Sequence, residues 1–198
     1  TTENIAYRQR QRLNEDAKRA IAQAVAAQVP EGCSLILNIG TTAEAIALAL
    51  LQHRGLRVIT NNLNVAAILS DAPGCEVTVA GGQVRSRDRG IIGETTVEFI
   101  SQFRVDIGVI GISGIESDGS LRDFDVREVK VAQAIMRASR QVWLAADHSK
   151  FDRPAMVALG HLEQVHRLFT DQPPPPHFQA LLDSAGVACS LPTESPSP

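Results

Sequence analysis

Between Leu35 and Leu51, LILNIGTTAEAIALALL, the hydrophobic period changes at a single glycine. Leu35 to Ile39 is an apolar run suited to a buried parallel strand. After Gly40 the apolar residues Ala45, Ile46, Ala49 and Leu50 recur at helical spacing. A strand that turns through Gly40, Thr41 and Thr42 into a helix commits the chain to an α/β architecture. It also brings chemistry: the first helical N–H groups are left without intrahelical partners, two hydroxyls lie beside them, and the positive end of the helix dipole is behind. Such a turn is an anion site sized for one phosphate group. The same residues spell a capping box, Thr41-x-x-Glu44, in which Glu44 reaches back to Thr41. From these residues alone the two readings stand level.

A length of 198 residues at 44% hydrophobic supports one α/β domain, or one domain with a small appendage. A net charge of −3 leaves no broad basic surface for a nucleic-acid backbone, so the expected partner is small. Cys33, Cys75 and Cys189 are odd in number, far apart and without a C-x-x-C pair, which argues against a disulfide framework and a zinc site. That pattern fits a reducing cytoplasm. No apolar stretch reaches the length of a membrane span and no signal-peptide pattern opens the chain, so a soluble, cytoplasmic protein is expected.

In chain order, residues 1 to 13 are polar and carry Arg8, Arg10 and Arg12, which reads as a linker. Asn14 is a candidate N-cap for a helix with Ala17, Ile21, Ala24, Val25 and Gln28, closed at Pro30 and Gly32. After the phosphate-type turn, Arg57 to Thr60 is a second strand running into Asn61 and Asn62, and Val65 to Leu69 a short helix. Val77 to Ala80 is a third strand, ending at Gly81 and Gly82. The two amides suit hydroxyls or phosphate oxygens but equally suit turns, and the paired glycines permit close backbone approach or a tight turn. Strand ends of an open α/β sheet lie along one edge, where ligands bind, so the convergence of polar and small residues there outweighs each motif.

A polar loop, Arg85 to Arg89, precedes Gly90 to Glu94 and a helix through Val97, Ile100 and Phe103; Glu94 either complements the dipole or meets a ligand. Val105 to Ile112 is a nearly continuous apolar strand, predicted to be central and finished by Ser113 and Gly114. Glu116 to Asp125 is acidic and turn-rich but lacks the ligand set of a calcium loop, so no metal is expected. A helix from Val126 to Arg140 places Val129, Ala132, Ile135 and Met136 on one face, with Glu128 off that stripe as a solvated charge or a site residue. Val142 to Ala146 is a further buried strand, followed by Asp147 and Lys150, a carboxylate and an ammonium suited to a hydroxylated anion. A strand near Arg167 to Thr170, a stiff proline connector (Pro173 to Pro176), a helix (Phe178 to Ser184) and a strand (Val187 to Leu191) follow. Residues 192–198 read as a disordered tail.

As a set and in order, NIGTT (38–42), TNN (60–62), AGG (80–82), IIGE (91–94), GISGI (111–115), FDVREV (124–129) and DHSKF (147–151) resemble the effector-binding half of DeoR-type bacterial transcriptional repressors. The runs VITNNLNVA, RGIIGE, EFISQFRVDIGVIGISGI and ADHSKF point within it to members that sense glycerol 3-phosphate. The resemblance covers about residues 13–185. It implies an effector-binding sensor domain over residues 14–191, with the DNA-binding domain absent from this chain and residues 1–13 as the interdomain linker. The fold it implies is a mainly parallel sheet flanked by helices, similar to ribose-5-phosphate isomerase and related sugar-phosphate and CoA-transferase-like folds.

The function it implies is the sensing of a phosphorylated metabolite, without catalysis and without a cofactor, by a homodimer or homotetramer that meets DNA only through another domain. The phosphate is expected on Gly40, Thr41 and Thr42, flanked by Asn61, Asn62, Gly81 and Gly82. Glu94, Ser113, Glu128 and Asp147 are expected at the ligand hydroxyls, with Lys150 offsetting the charge. The alternative is a sugar-phosphate isomerase with Glu128 as base and Lys150 steadying the sugar. Against it, LRDFD (121–125) stands where the isomerases have a second lysine and a glycine run, which removes donors that would stabilise an enediolate oxyanion. A second departure is Asn38, where many such repressors have an acid.

Overall fold

The computed structural model describes residues 15–193. The expected linker, the Asn14 cap and the tail beyond Thr193 lie outside the described residues.

Helix α1 (Glu15–Gln28) buries Ile21, Ala22, Val25 and Ala26 along one stripe, the period-3.6 pattern of a core-facing helix. The chain continues through β1 (Ser34–Leu37), α2 (Thr41–Ala49), β2 (Leu56–Thr60), α3 (Leu63–Ser70) and β3 (Cys75–Val79). A short hairpin, β4 (Gln83–Arg85) and β5 (Gly90–Ile92), leads to α4 (Glu94–Ile100) and β6 (Val105–Ile110). Two small strands, β7 (Gly114–Ile115) and β8 (Ser120–Asp123), precede α5 (Val126–Ala138), which passes without a loop into β9 (Ser139–Ala145). After the 3₁₀ turn His148–Lys150 come β10 (Val157–His161), β11 (Arg167–Phe169), α6 (Pro176–Ala185) and β12 (Ala188–Ser190).

Seven of these strands form one sheet in the order β12-β11-β9-β6-β1-β2-β3. All six neighbour pairs are parallel. The expected mainly parallel sheet is present, and β6 is its central strand. Alternation along the strands divides the core. Leu35, Leu37, Val58, Val109 and Trp143 face α1, α2 and α3, while Ile36, Ile59, Ile110 and Leu144 face α4, α5 and α6. Cover on both faces explains why the inner strands β1 and β6 read as nearly unbroken apolar runs.

Some boundaries differ from the sequence reading. β1 stops at Leu37, and β6 at Ile110, before Gly111. The buried face of α2 is Ala43, Ile46 and Ala47, with Leu50 at its C-cap, rather than one including Ala45 and Ala49. The polar loop Arg85–Arg89 is the turn of the β4–β5 hairpin, and the acidic stretch Glu116–Asp125 contains β8, whose turn Asp118 closes by accepting from Ser120 N at 2.8 Å. β10, absent from the sequence reading, pairs antiparallel with β8. Pro176 belongs to the first turn of α6 rather than to the connector, a position where its missing N–H costs no helical bond. Among the described residues, no helix is long and apolar enough to cross a membrane.

The chain runs from β1 to β2 and β3 on one side, then returns to place β6 on the other side of β1. The crevice between the carboxyl ends of β1 and β6 is therefore the topological switch point, where open α/β sheets bind ligands.

Candidate functional site

At that switch point lies a cleft of about 60 Å³, lined on one side by Ile39–Ala43 and on the other by Val109–Ser113, with Lys18, Asp123, Glu128 and Lys150 closing it. The turn after β1 follows from one backbone conformation. Gly40 is the N-cap of α2 at φ 130°, ψ 160°, and a Cβ there would meet nothing within 4 Å. That region of dihedral space is essentially reserved for glycine. The side toward which a side chain would project is open, so a ligand can approach the backbone directly. Thr41 is the first helical residue, and no side chain caps the helix. The capping-box reading is thereby corrected: Gly40 occupies the position that Thr41 would need. The N–H groups of the first turn, with the Thr41 and Thr42 hydroxyls, are left to face the cleft.

Two lysines line the same cleft as this turn. Lys150, in the 3₁₀ turn after β9, is 4.0 Å from Asp147. Asp147 is buried and caps its own turn, accepting from Ser149 N at 2.9 Å and from the Ser149 hydroxyl. Burial alone would raise its pKa, but Lys150, the Ser149 bonds and Lys18 together hold it below the usual carboxylate range. Asp147 is therefore the buried counter-ion of Lys150, a lining residue of the cleft. Lys18 was not foreseen. Only 8% exposed, it occupies the first place on the otherwise apolar stripe of α1. An ammonium at a core position of an amphipathic helix was the signal in the sequence, since lysine is almost never buried without a partner.

The third wall is acidic. Glu128 lines the cleft from the first turn of α5, and its partner is Arg85 of the hairpin, 3.0 Å away. The same guanidinium binds Asp125 at 2.9 Å, which also N-caps α5, and Asp88, whose carboxylate is buried in the hairpin turn. Burial pushes the Glu128 carboxyl up to about 7, and the neighbouring Asp123 adds to the rise, against the pull of Arg85. Asp123 itself accepts from the Ser113 hydroxyl at 2.8 Å and from Phe124 N at 2.7 Å. Asp123, Asp88 and Arg85 were also missed, because each lies in a segment too polar and irregular to show a period.

Of the residues expected at the ligand, Gly40, Thr41, Thr42, Ser113, Glu128 and Lys150 line the cleft, and Asp147 is the counter-ion of Lys150. The others do not line it. Asn61 and Asn62 are fully buried. Asn61 donates to the Ile91 carbonyl at 3.2 Å, tying the hairpin to β2. Asn62 caps α3, accepting from Asn64 N and Val65 N, and donates to the Asn38 carbonyl at 3.4 Å. Gly81 is exposed and accepts from Thr96 Oγ1, while a Cβ on Gly82 would collide with Thr96 and Ile91. Glu94 is exposed in the first turn of α4. Asn38 is buried beside the turn, and its Oδ1 has no hydrogen-bond partner. Among the described residues, no group of three or more His, Cys, Asp or Glu is placed to hold a metal ion.

Comparison with known proteins shows the family and the fold. The family model described as the DeoR C terminal sensor domain matches residues 13–172. The chain is 52% identical over 188 residues to the glycerol-3-phosphate regulon repressor of Escherichia coli K12, covering 95% of this chain and 75% of that protein. It is also 52% identical over 174 residues to the repressor of the same name from Haemophilus influenzae, covering 88% and 68%. Among solved structures, ribose 5-phosphate isomerase A from Methanocaldococcus jannaschii matches 70% of this chain and 55% of its own, with TM-score 0.51 and 15% identity. The eIF2B delta subunit from Chaetomium thermophilum matches 80% and 57%, with TM-score 0.59 and 16% identity. At such identities these two likenesses establish the fold alone. The chain belongs to the DeoR family of transcriptional repressors, as the sensor domain of one.

Proposed function

We propose that this domain binds a short phosphate ester, glycerol 3-phosphate foremost, and that occupancy alters the DNA affinity of the repressor through another domain. The observation that carries the reading is the turn Gly40–Thr42 at the switch point, open above Gly40 and sharing its cleft with Lys18 and Lys150. A phosphate monoester carries about −1.5 to −2 charges at neutral pH, which two ammoniums and a helix N-terminus complement. Both repressors at 52% identity are named for a regulon of glycerol 3-phosphate. Ser113 and Glu128 would meet the ligand hydroxyls. The sensor would act in the cytoplasm as a homodimer or homotetramer, and occupancy would change DNA affinity by favouring one arrangement over another.

Thermal unfolding with glycerol 3-phosphate, with glycerol and inorganic phosphate as controls, tests the proposal. Ligand at about 100 times its Kd adds about 2.7 kcal/mol, a rise of roughly 5–10 °C for a domain of this size. A flat response to it and to other phosphate esters would refute the reading.

One observation favours an isomerase instead: a carboxyl raised to about 7 is suited to a general base. Its surroundings oppose that role. Glu128 is held in an ion pair with Arg85, and Asp123 places a second carboxylate where an enediolate would need hydrogen-bond donors. An aldose-to-ketose phosphate assay separates the readings: turnover that Glu128→Gln abolishes would make the domain an enzyme.

A further inference from the structure

We propose that Lys18 is a direct ligand of the effector's phosphate, and that through it helix α1 is the element that reports occupancy of the site. The inference rests on the phosphate-sensing reading and adds both a residue and a route. Three observations carry it. First, Lys18 is nine-tenths buried among Ile21, Ala22 and Val25, yet it lines the same cleft as Thr41 and Thr42. A lysine that needed only solvent would sit with Arg19 on the outer face. Second, Lys18 and Lys150 line one and the same cleft, Lys150 lying 4.0 Å from the buried carboxylate of Asp147, whose pKa both ammoniums help to hold down. An arriving phosphate dianion is a stronger partner for two ammoniums than one carboxylate. Third, α1 packs chiefly on α2, the helix whose N-terminus forms the phosphate turn, and Lys18 and Thr41 also share the larger groove along those helices.

A charge-assisted bond from phosphate to Lys18, added to bonds from the first turn of α2, ties the two helices across their contact. The family's sensor domain is the C-terminal part of the repressor, and α1 is the first element in sequence among the described residues. Occupancy then favours the arrangement in which α1 is held against α2, and that differential contact is what an allosteric signal requires.

The test is calorimetric titration of the chain with glycerol 3-phosphate and with inorganic phosphate, in the wild type, Lys18→Met and Lys150→Met. Amide hydrogen exchange of α1 is followed at saturating ligand. Lys18→Met keeps the apolar stem and removes the ammonium. It should weaken both ligands by the same factor, about 10- to 100-fold, as expected for a hydrogen bond to a charged group. The α1 amides gain protection on saturation in the wild type and in Lys150→Met but not in Lys18→Met, and Lys18→Arg restores most of the affinity. Equal affinity in wild type and Lys18→Met overturns the inference and leaves the sensor reading standing. A gain of α1 protection in saturated Lys18→Met equal to that in the wild type overturns the route. A wild type that binds no phosphate ester overturns both. Should Lys18→Met unfold, Lys18→Gln carries the same comparison.

Discussion

Arg85 Nη2 lies 3.0 Å from Glu128 Oε2, which joins the β4–β5 hairpin to the first turn of α5 at the rim of the ligand cleft. One guanidinium there serves three carboxylates, Asp88, Asp125 and Glu128, and its side chain is only 9% exposed.

Removing that cation is expected to be costly. Arg85→Met takes the guanidinium away from Asp88 and Glu128 and leaves Asp125 with the more exposed Arg127, 3.5 Å away, and breaking a buried pair costs about 3–5 kcal/mol. Thermal unfolding at pH 7.5 should show a fall of roughly 6–20 °C, and a smaller fall at pH 5.5, where Glu128 holds a proton. A loss of the same size at both pH values would contradict this assignment.

Glu128 sets the sign of a pH dependence. Its folded pKa, about 7, lies above its ordinary value of 4.5, so the folded state binds more proton between those values. Stability therefore falls as pH rises from about 4.5 to about 7, by linkage. Asp147, held low, contributes in the opposite sense and only as pH falls below about 3.8, outside that window. Urea unfolding across pH 5–8 should show the slope in wild type and lose it in Glu128→Gln; an unchanged slope in the variant would assign it elsewhere.

Gly40→Ala probes the turn itself. The added methyl meets no atom within 4 Å, so the cost is backbone strain at φ 130° rather than collision, about 1–3 kcal/mol. The methyl also covers the face where a phosphate would meet the backbone. Chemical denaturation should report a moderate loss, and calorimetry a loss of ligand binding even where the variant is fully folded. Retained affinity in folded Gly40→Ala would place the ligand elsewhere.

Asn62→Ala separates scaffold from site. Asn62 caps α3 and ties it to the Asn38 carbonyl, so the variant should lose about 1–2 kcal/mol in urea unfolding. Ligand affinity of the folded variant should match the wild type. A drop in affinity would return Asn62 to the ligand.

What the sequence made legible follows from physics. β1 and β6 are legible because inner strands covered on both faces demand apolar runs, β3 because β-branched residues alternate along it, and the turn at Gly40 because a period change at a glycine has few structural meanings. The hairpin around Arg85 and Asp88 is not, since strands of three residues show no period and their stability comes from ion pairs distant in sequence. For Asn61 and Asn62 the sequence left open a turn, a cap or a binding role, because all three favour the same amides, and the structure shows both side chains bonded within the scaffold. Lys18 was visible as a charge on an apolar stripe, but its destination depended on how α1 packs across α2.

The most direct test is calorimetric titration of this chain with glycerol 3-phosphate, in wild type and in Thr42→Val. Valine keeps the shape and the backbone N–H but removes the hydroxyl, one charge-assisted bond worth about 1.5 kcal/mol or more, or roughly a tenfold change in Kd. The account predicts saturable binding to the wild type, at least tenfold weaker in the variant, with glycerol silent in both. Equal affinity in the two proteins, or a wild type that binds neither glycerol 3-phosphate nor any other phosphate ester, would contradict it.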